Sequence, residues 1–175
     1  MRRGAAASTA VAVVAAAFAA AAVAAPGRPA AALSPLERGV LADINVFRTS
    51  HHLSSLRLSP QLGAAALAHT QEMASDGYFA HESADGSAFW KRIQSFYEST
   101  PWTYWSVGEN LLWSSPDVDA NAALQMWLHS PEHRANLLNP RWREIGVAAV
   151  HVVAAPGTFH GLDVTIVTTD FGVRR

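Results

Sequence analysis

Apolar residues recur at helical spacing in four stretches of the chain and switch to strand-like runs towards its end. Leu36, Val40, Ile44 and Phe47 fall three or four apart, which puts them on one face of a helix. Leu62, Ala66, His69 and Met73 repeat the pattern in a second helix that stops near Asp76-Gly77. A third helix is predicted to start around Asp85-Gly86-Ser87, with Phe89 and Ile93 on one face, and a fourth carries Ala120, Leu124 and Trp127. Four Ser-Pro pairs punctuate these stretches: Ser34-Pro35, Ser59-Pro60, Ser115-Pro116 and Ser130-Pro131. Each places a capping hydroxyl before a proline, which lacks the N–H that a first helical turn leaves unpaired. By the same rule the Ser130 hydroxyl should cap a further short helix carrying His133, while Asn136 should be structural.

Glu144 to Val153 and Asp163 to Thr169 are apolar and β-branched. The link between them holds Pro156, Gly157 and Gly161, so the two runs predict a hairpin with a long turn. Tyr104 to Trp113 is a further candidate strand. Helices first and strands later predict an α+β domain whose helices sandwich a small antiparallel sheet.

The beginning of the chain belongs to none of these elements. Arg2 and Arg3 precede an uncharged apolar run from Ala10 to Ala25 that ends in small residues before Pro26. That pattern predicts a secretory signal peptide over 1–25 rather than a membrane anchor, because the run is short and alanine-rich. Residues 26–33 read as a linker and 34–175 as the folded domain. Removing the signal would leave no membrane span and a mildly acidic protein of about −3.

Composition narrows the chemistry. The 175 residues contain no Cys, which excludes a thiol nucleophile, thiolate zinc sites and a disulfide framework. A net charge of −1 with a single lysine, Lys91, gives no footprint for nucleic acid. His129-Ser-Pro-Glu132-His133 matches a zinc-peptidase string, but Ser130-Pro131 breaks the helix between the two histidines and spoils the required common face. His81-Glu82 opens a second such string and lacks its second ligand, since residue 85 is Asp. Asp170-Phe171-Gly172 shares three letters with a kinase motif whose other parts are absent, and no G-x-S-x-G occurs.

A constellation remains: Phe79-Ala-His81, Gly108-Glu109-Asn110, Trp127-Leu-His-Ser-Pro-Glu-His133-Arg-Ala-Asn136-Leu-Leu, then Arg143-Glu-Ile-Gly-Val147. In that order these strings resemble the bacterial secreted, SCP-like branch of the CAP superfamily, the group of cysteine-rich secretory proteins, antigen five and pathogenesis-related protein one. The similarity spans about Leu41 to Phe171. It implies a three-layer α-β-α sandwich with an open cleft where two histidines and two glutamates face one another and can hold a divalent cation. Carried over by motif, the cleft residues are His81, Glu109 and His133. The superfamily's W-x-x-E glutamate falls on Ser130 and its later H-F-T-Q block is absent, which leaves Glu132 as the candidate fourth residue and three matched cleft residues at most.

Each candidate also has a structural reading: His81 as a loop residue bonded to a carbonyl, Glu109 as a turn carboxylate, Glu132 as a helix-dipole partner. His69 reads as a satisfied core histidine. The tryptophans read as packing, with Trp102 and Trp105 in an aromatic segment that could line a groove. The resulting expectation is a secreted monomer that binds a small-molecule, lipid or peptide ligand in its cleft. No cofactor is required, with Zn²⁺ on His81 and His133, assisted by Glu109, as the candidate metal. A peptide or ester hydrolase using the same histidine–glutamate pair is the alternative.

Overall fold

The computed structural model describes residues 33–175, so the signal-peptide reading of 1–25 and almost all of the linker reading lie outside the described residues. Helix α1 (Pro35–Ser50) opens with a full capping box: Ser34 Oγ accepts from Glu37 N, and the Glu37 carboxylate accepts from Ser34 N. Helix α2 (Pro60–Asp76) is capped by Ser59 and ends at Gly77, whose φ of 71° is the left-handed turn that glycine adopts at least cost. Helix α3 (Phe89–Phe96) begins a few residues later than predicted, because Asp85 accepts from Ser87 N and closes a turn before it.

The other two Ser-Pro expectations need correcting. Helix α4 (Ala120–Leu128) is capped by Asp119, which accepts from Ala122 N at 2.8 Å, so Ser115 caps nothing. Helix α5 (Pro131–Leu137) does start at the proline, but the Ser130 hydroxyl turns aside to Glu132 Oε2 at 3.2 Å and makes no cap bond.

Four strands form one mixed sheet in the order β1-β3-β4-β2. Strands β2 (Trp105–Ser114), β3 (Glu144–Val152) and β4 (Val164–Arg174) pair antiparallel, as the hairpin pattern predicts. Strand β1 (Arg57–Leu58) adds a two-residue parallel edge beside β3, too short to leave a period in the sequence. The strand predicted to end at Thr169 runs on to Arg174.

Strand alternation sends side chains to two layers of helix. Leu112, Val147, Val167 and Phe171 pack with Val40 and Ile44 of α1, Leu124 and Trp127 of α4, and Leu137 of α5. On the opposite face, Leu111, Val164 and Ile166 meet Met73 of α2 and Phe159, while Leu62 and Ala65 of α2 meet Ile93 of α3 and Tyr97. The architecture is the expected three-layer α-β-α sandwich. Arg48, fully buried at the end of α1, donates to the carbonyls of Ser54, Leu137 and Asn139, and so ties α1 to the end of α5.

Candidate functional site

Three segments from different elements converge at one end of the sandwich. The first follows α2. His69, buried on that helix, bonds the Ala80 carbonyl through Nε2 at 2.9 Å, confirming a satisfied core histidine. Glu72, one turn further, accepts from Tyr78 Oη at 2.6 Å and from Ala84 N at 3.2 Å. Together they hold residues 78–84 in a fixed loop and so place His81.

The second segment is Gly108-Glu109-Asn110 on β2. A Cβ at Gly108 would sit 2.8 Å from Asn136 Oδ1 and 2.8 Å from Trp142, so the position has no room for a side chain. Glu109 points to the opposite sheet face, its side chain 1% exposed. Its Oε1 lies 2.8 Å from His81 Nδ1, and its Oε2 accepts from Arg92 of α3. Arg92 also donates to the His81 carbonyl and to Ser83 Oγ, so one guanidinium holds both the histidine's backbone and its carboxylate partner.

The third segment is α5, which presents Glu132 and His133. Asn136 fastens it to β2, donating to the Glu109 carbonyl (3.1 Å) and Asn110 Oδ1 (2.9 Å), and accepts from Trp142 Nε1. Asn136 is therefore structural, as expected. His129 ends α4 and bonds back to the Gln125 carbonyl, which separates it from His133 and removes the zinc-peptidase geometry.

His81, Glu109, Glu132 and His133 line one open cavity of about 450 Å³, together with Glu82, Phe89, Asn110 and Asn136. Burial, and then the nearby charge of His81, hold the His133 imidazole below its ordinary pKa. Trp105 lies away from this cleft, its indole N–H bonded to the Tyr97 carbonyl, in a packing role.

Asp170 is the group the sequence did not reveal. It stands opposite Glu109 in the β2–β4 register, fully buried, and neither carboxyl oxygen has a donor. Burial and the charge of Glu109 raise its pKa well above the usual carboxylate range. The available signal was an acidic residue in the middle of an apolar strand, hidden once that strand was ended at Thr169.

The donor set does not fit a resident metal. Among the described residues no three His, Asp or Glu side chains are grouped to hold one ion. Glu109, the expected oxygen ligand, is already engaged by Arg92 and His81.

The family model described as CAP, the cysteine-rich secretory protein family, matches residues 41–159. The chain belongs to the CAP family. Two relatives from Bacillus subtilis are each 30% identical: an uncharacterized membrane protein, YlbC, over 63% of this chain, and an uncharacterized protein, YkwD, over 69%. The matched region covers only 30% and 44% of those proteins, so this CAP chain spans less than half the length of either. Among solved structures, an extracellular SCP-domain protein of Bacillus anthracis is 28% identical with a TM-score of 0.58, matching 83% of this chain and 45% of that one. An outer surface protein of Borrelia burgdorferi shares the fold at 20% identity, with a TM-score of 0.61 and coverage of 79% and 92%. None of the described helices of this CAP domain is long and apolar enough to cross a membrane.

Proposed function

We propose that this CAP domain is exported and binds a polar small molecule or a peptide segment between His81 and His133, without catalysing a reaction. The observation that carries the proposal is the division of labour in the cleft. His81 from the loop after α2 and Glu132 and His133 from α5 line one open cavity, while Glu109 is buried and spent on holding His81. Donor and acceptor groups aimed into a pocket of this size suit ligand recognition. Phe89, the only apolar side chain among those lining the cavity, supplies a stacking face. The basic start and apolar run of residues 1–25 support export, as do the extracellular and outer-surface proteins that share the fold.

A hydrolase is the second reading, favoured by the His81–Glu109 pair. A buried carboxylate 2.8 Å from Nδ1 fixes the ring and leaves Nε2 as a base, an arrangement used in general-base catalysis. Against it stands the lack of a nucleophile or an oxyanion-stabilising donor pair assigned in the cleft.

One experiment separates the two. A tetrapeptide library is titrated into labelled protein and into a His81→Ala/His133→Ala variant, and the same proteins are assayed on peptide and ester substrates. The expected result is hits that shift the amides of Gly108, Asn110 and His133, are lost in the double variant, and are not turned over. Turnover that disappears in the variant would favour the hydrolase; hits that persist in the variant would remove the cleft as the binding site. A Zn²⁺ titration adds a third arm, with no histidine-dependent binding expected.

A further inference from the structure

Four arginines gather at the end of the sheet near Tyr104, and none of them is in an ion pair. Arg141 and Arg143 lead into β3, Arg175 follows β4, and Arg48 is buried at the end of α1. Arg143 N donates to the Gly172 carbonyl, which brings the first two segments side by side. Among the described residues the ion pairs use Arg57, His69, His81 and Arg92, and none of these four arginines. The whole chain carries a net charge of −1, so the cluster does not follow from a basic composition.

Arg143 and Arg175 are held in place. Arg143 Nη1 donates to the carbonyls of Pro140 at 2.8 Å, Arg141 at 3.2 Å and Trp142 at 2.8 Å. The Arg175 guanidinium lies over the Tyr104 ring, 4.9 Å from its centroid, whereas Arg174 turns to the opposite sheet face and lies over Tyr97. Arg48 Nη2 is buried without a partner, and burial together with the charge of Arg143 holds the Arg48 guanidinium below its ordinary pKa. Like charges held together repel, and a bound anion relieves the repulsion. A cavity of about 350 Å³ opens beside them, lined by three of the four, Arg141, Arg143 and Arg175, with Tyr104, Pro140 and Val173.

We propose that this pocket, separate from the His81–His133 cleft, binds the phosphate of a small phosphomonoester. Guanidinium groups match phosphate oxygens with paired N–H donors. The volume suits a small organic ligand rather than a bare ion, and Tyr104, Pro140 and Val173 give its carbon skeleton a wall.

The test is an amide NMR titration of the full chain with glycerol 3-phosphate, glycerol and inorganic phosphate. The expected result is saturable shifts at Tyr104 and Val173 with glycerol 3-phosphate, weaker binding of inorganic phosphate, and none with glycerol. Arg141→Ala and Arg175→Ala should each weaken binding about tenfold, the size of one lost charge-assisted contact. Arg38→Ala, outside the pocket, should bind as wild type, and added salt should weaken all binding. Vesicles of phosphatidylcholine containing phosphatidic acid present the same group on a lipid: tighter binding to them than to glycerol 3-phosphate assigns the source to a membrane headgroup, weaker binding to a soluble metabolite. Absence of saturable shifts, shifts unaffected by both arginine substitutions, or inorganic phosphate binding as tightly as glycerol 3-phosphate would overturn the proposal.

Discussion

Gly146→Ala is expected to prevent stable folding or to cost about 4 kcal/mol or more, at the upper end of single-residue effects. Gly146 lies in the Arg143-Glu-Ile-Gly-Val147 segment on β3, with α2 crossing directly over it. A Cβ there would fall inside the backbone of Leu62 and Gly63. Backbone atoms cannot rotate away as a side chain can, so the whole first turn of α2 would have to lift from the sheet. Because α2 carries His69 and Glu72, which fix the His81 loop, the damage would extend to the cleft. Urea denaturation and the amide spectrum of the variant check this. A well-folded variant within about 1 kcal/mol of wild type would contradict the close approach of α2 to β3.

Arg92→Ala is expected to cost about 3–5 kcal/mol, because it leaves the Glu109 carboxylate buried without its cation. Asp170→Asn acts in the opposite direction. The folded protein keeps a proton on Asp170 that the unfolded chain releases above its ordinary pKa of 3.8. The native state therefore binds more protons than the unfolded one over that range, and its stability falls as pH rises from about 4. An asparagine keeps the size of the side chain and removes the titration. The variant should be more stable than wild type at pH 7, with the gain shrinking as pH falls towards 4. Denaturation midpoints across that range decide it, and a gain that does not change with pH would mean that Asp170 is ionised in the folded protein.

Much of the fold could be read from local pattern, for physical reasons that also mark where the reading stopped. Helices α1 and α2 carry long apolar stripes and true serine caps, so their faces and ends follow from spacing alone. At Ser115 and Ser130 the same dipeptide did not cap, because Asp119 offered a better-placed acceptor in one case and Glu132 took the hydroxyl in the other. Strand β1 is visible only through its pairing with β3, a contact far away in sequence.

The site divides in the same way. His81, Glu109 and His133 sit in short distinctive strings, and the structure brings all three, with Glu132, to one cavity. Arg92 carries no such string, and Asp170 lies in Asp170-Phe171-Gly172, whose likeness to a kinase motif pointed elsewhere. Arg92 looks like an ordinary surface cation on a short helix, and only the register of β2 against β4 sets Asp170 opposite Glu109.

The segments around His81 and His133 form one electrostatically coupled cleft. The most direct test is an NMR pH titration of the His133 ring in wild type and in His81→Ala. In wild type its midpoint should lie below the ordinary histidine value of 6.5, because burial and the His81 charge both oppose its protonation. In His81→Ala the midpoint should move up towards that value, as the second cause is gone. A His133 midpoint that stays the same in both proteins would contradict the coupled cleft.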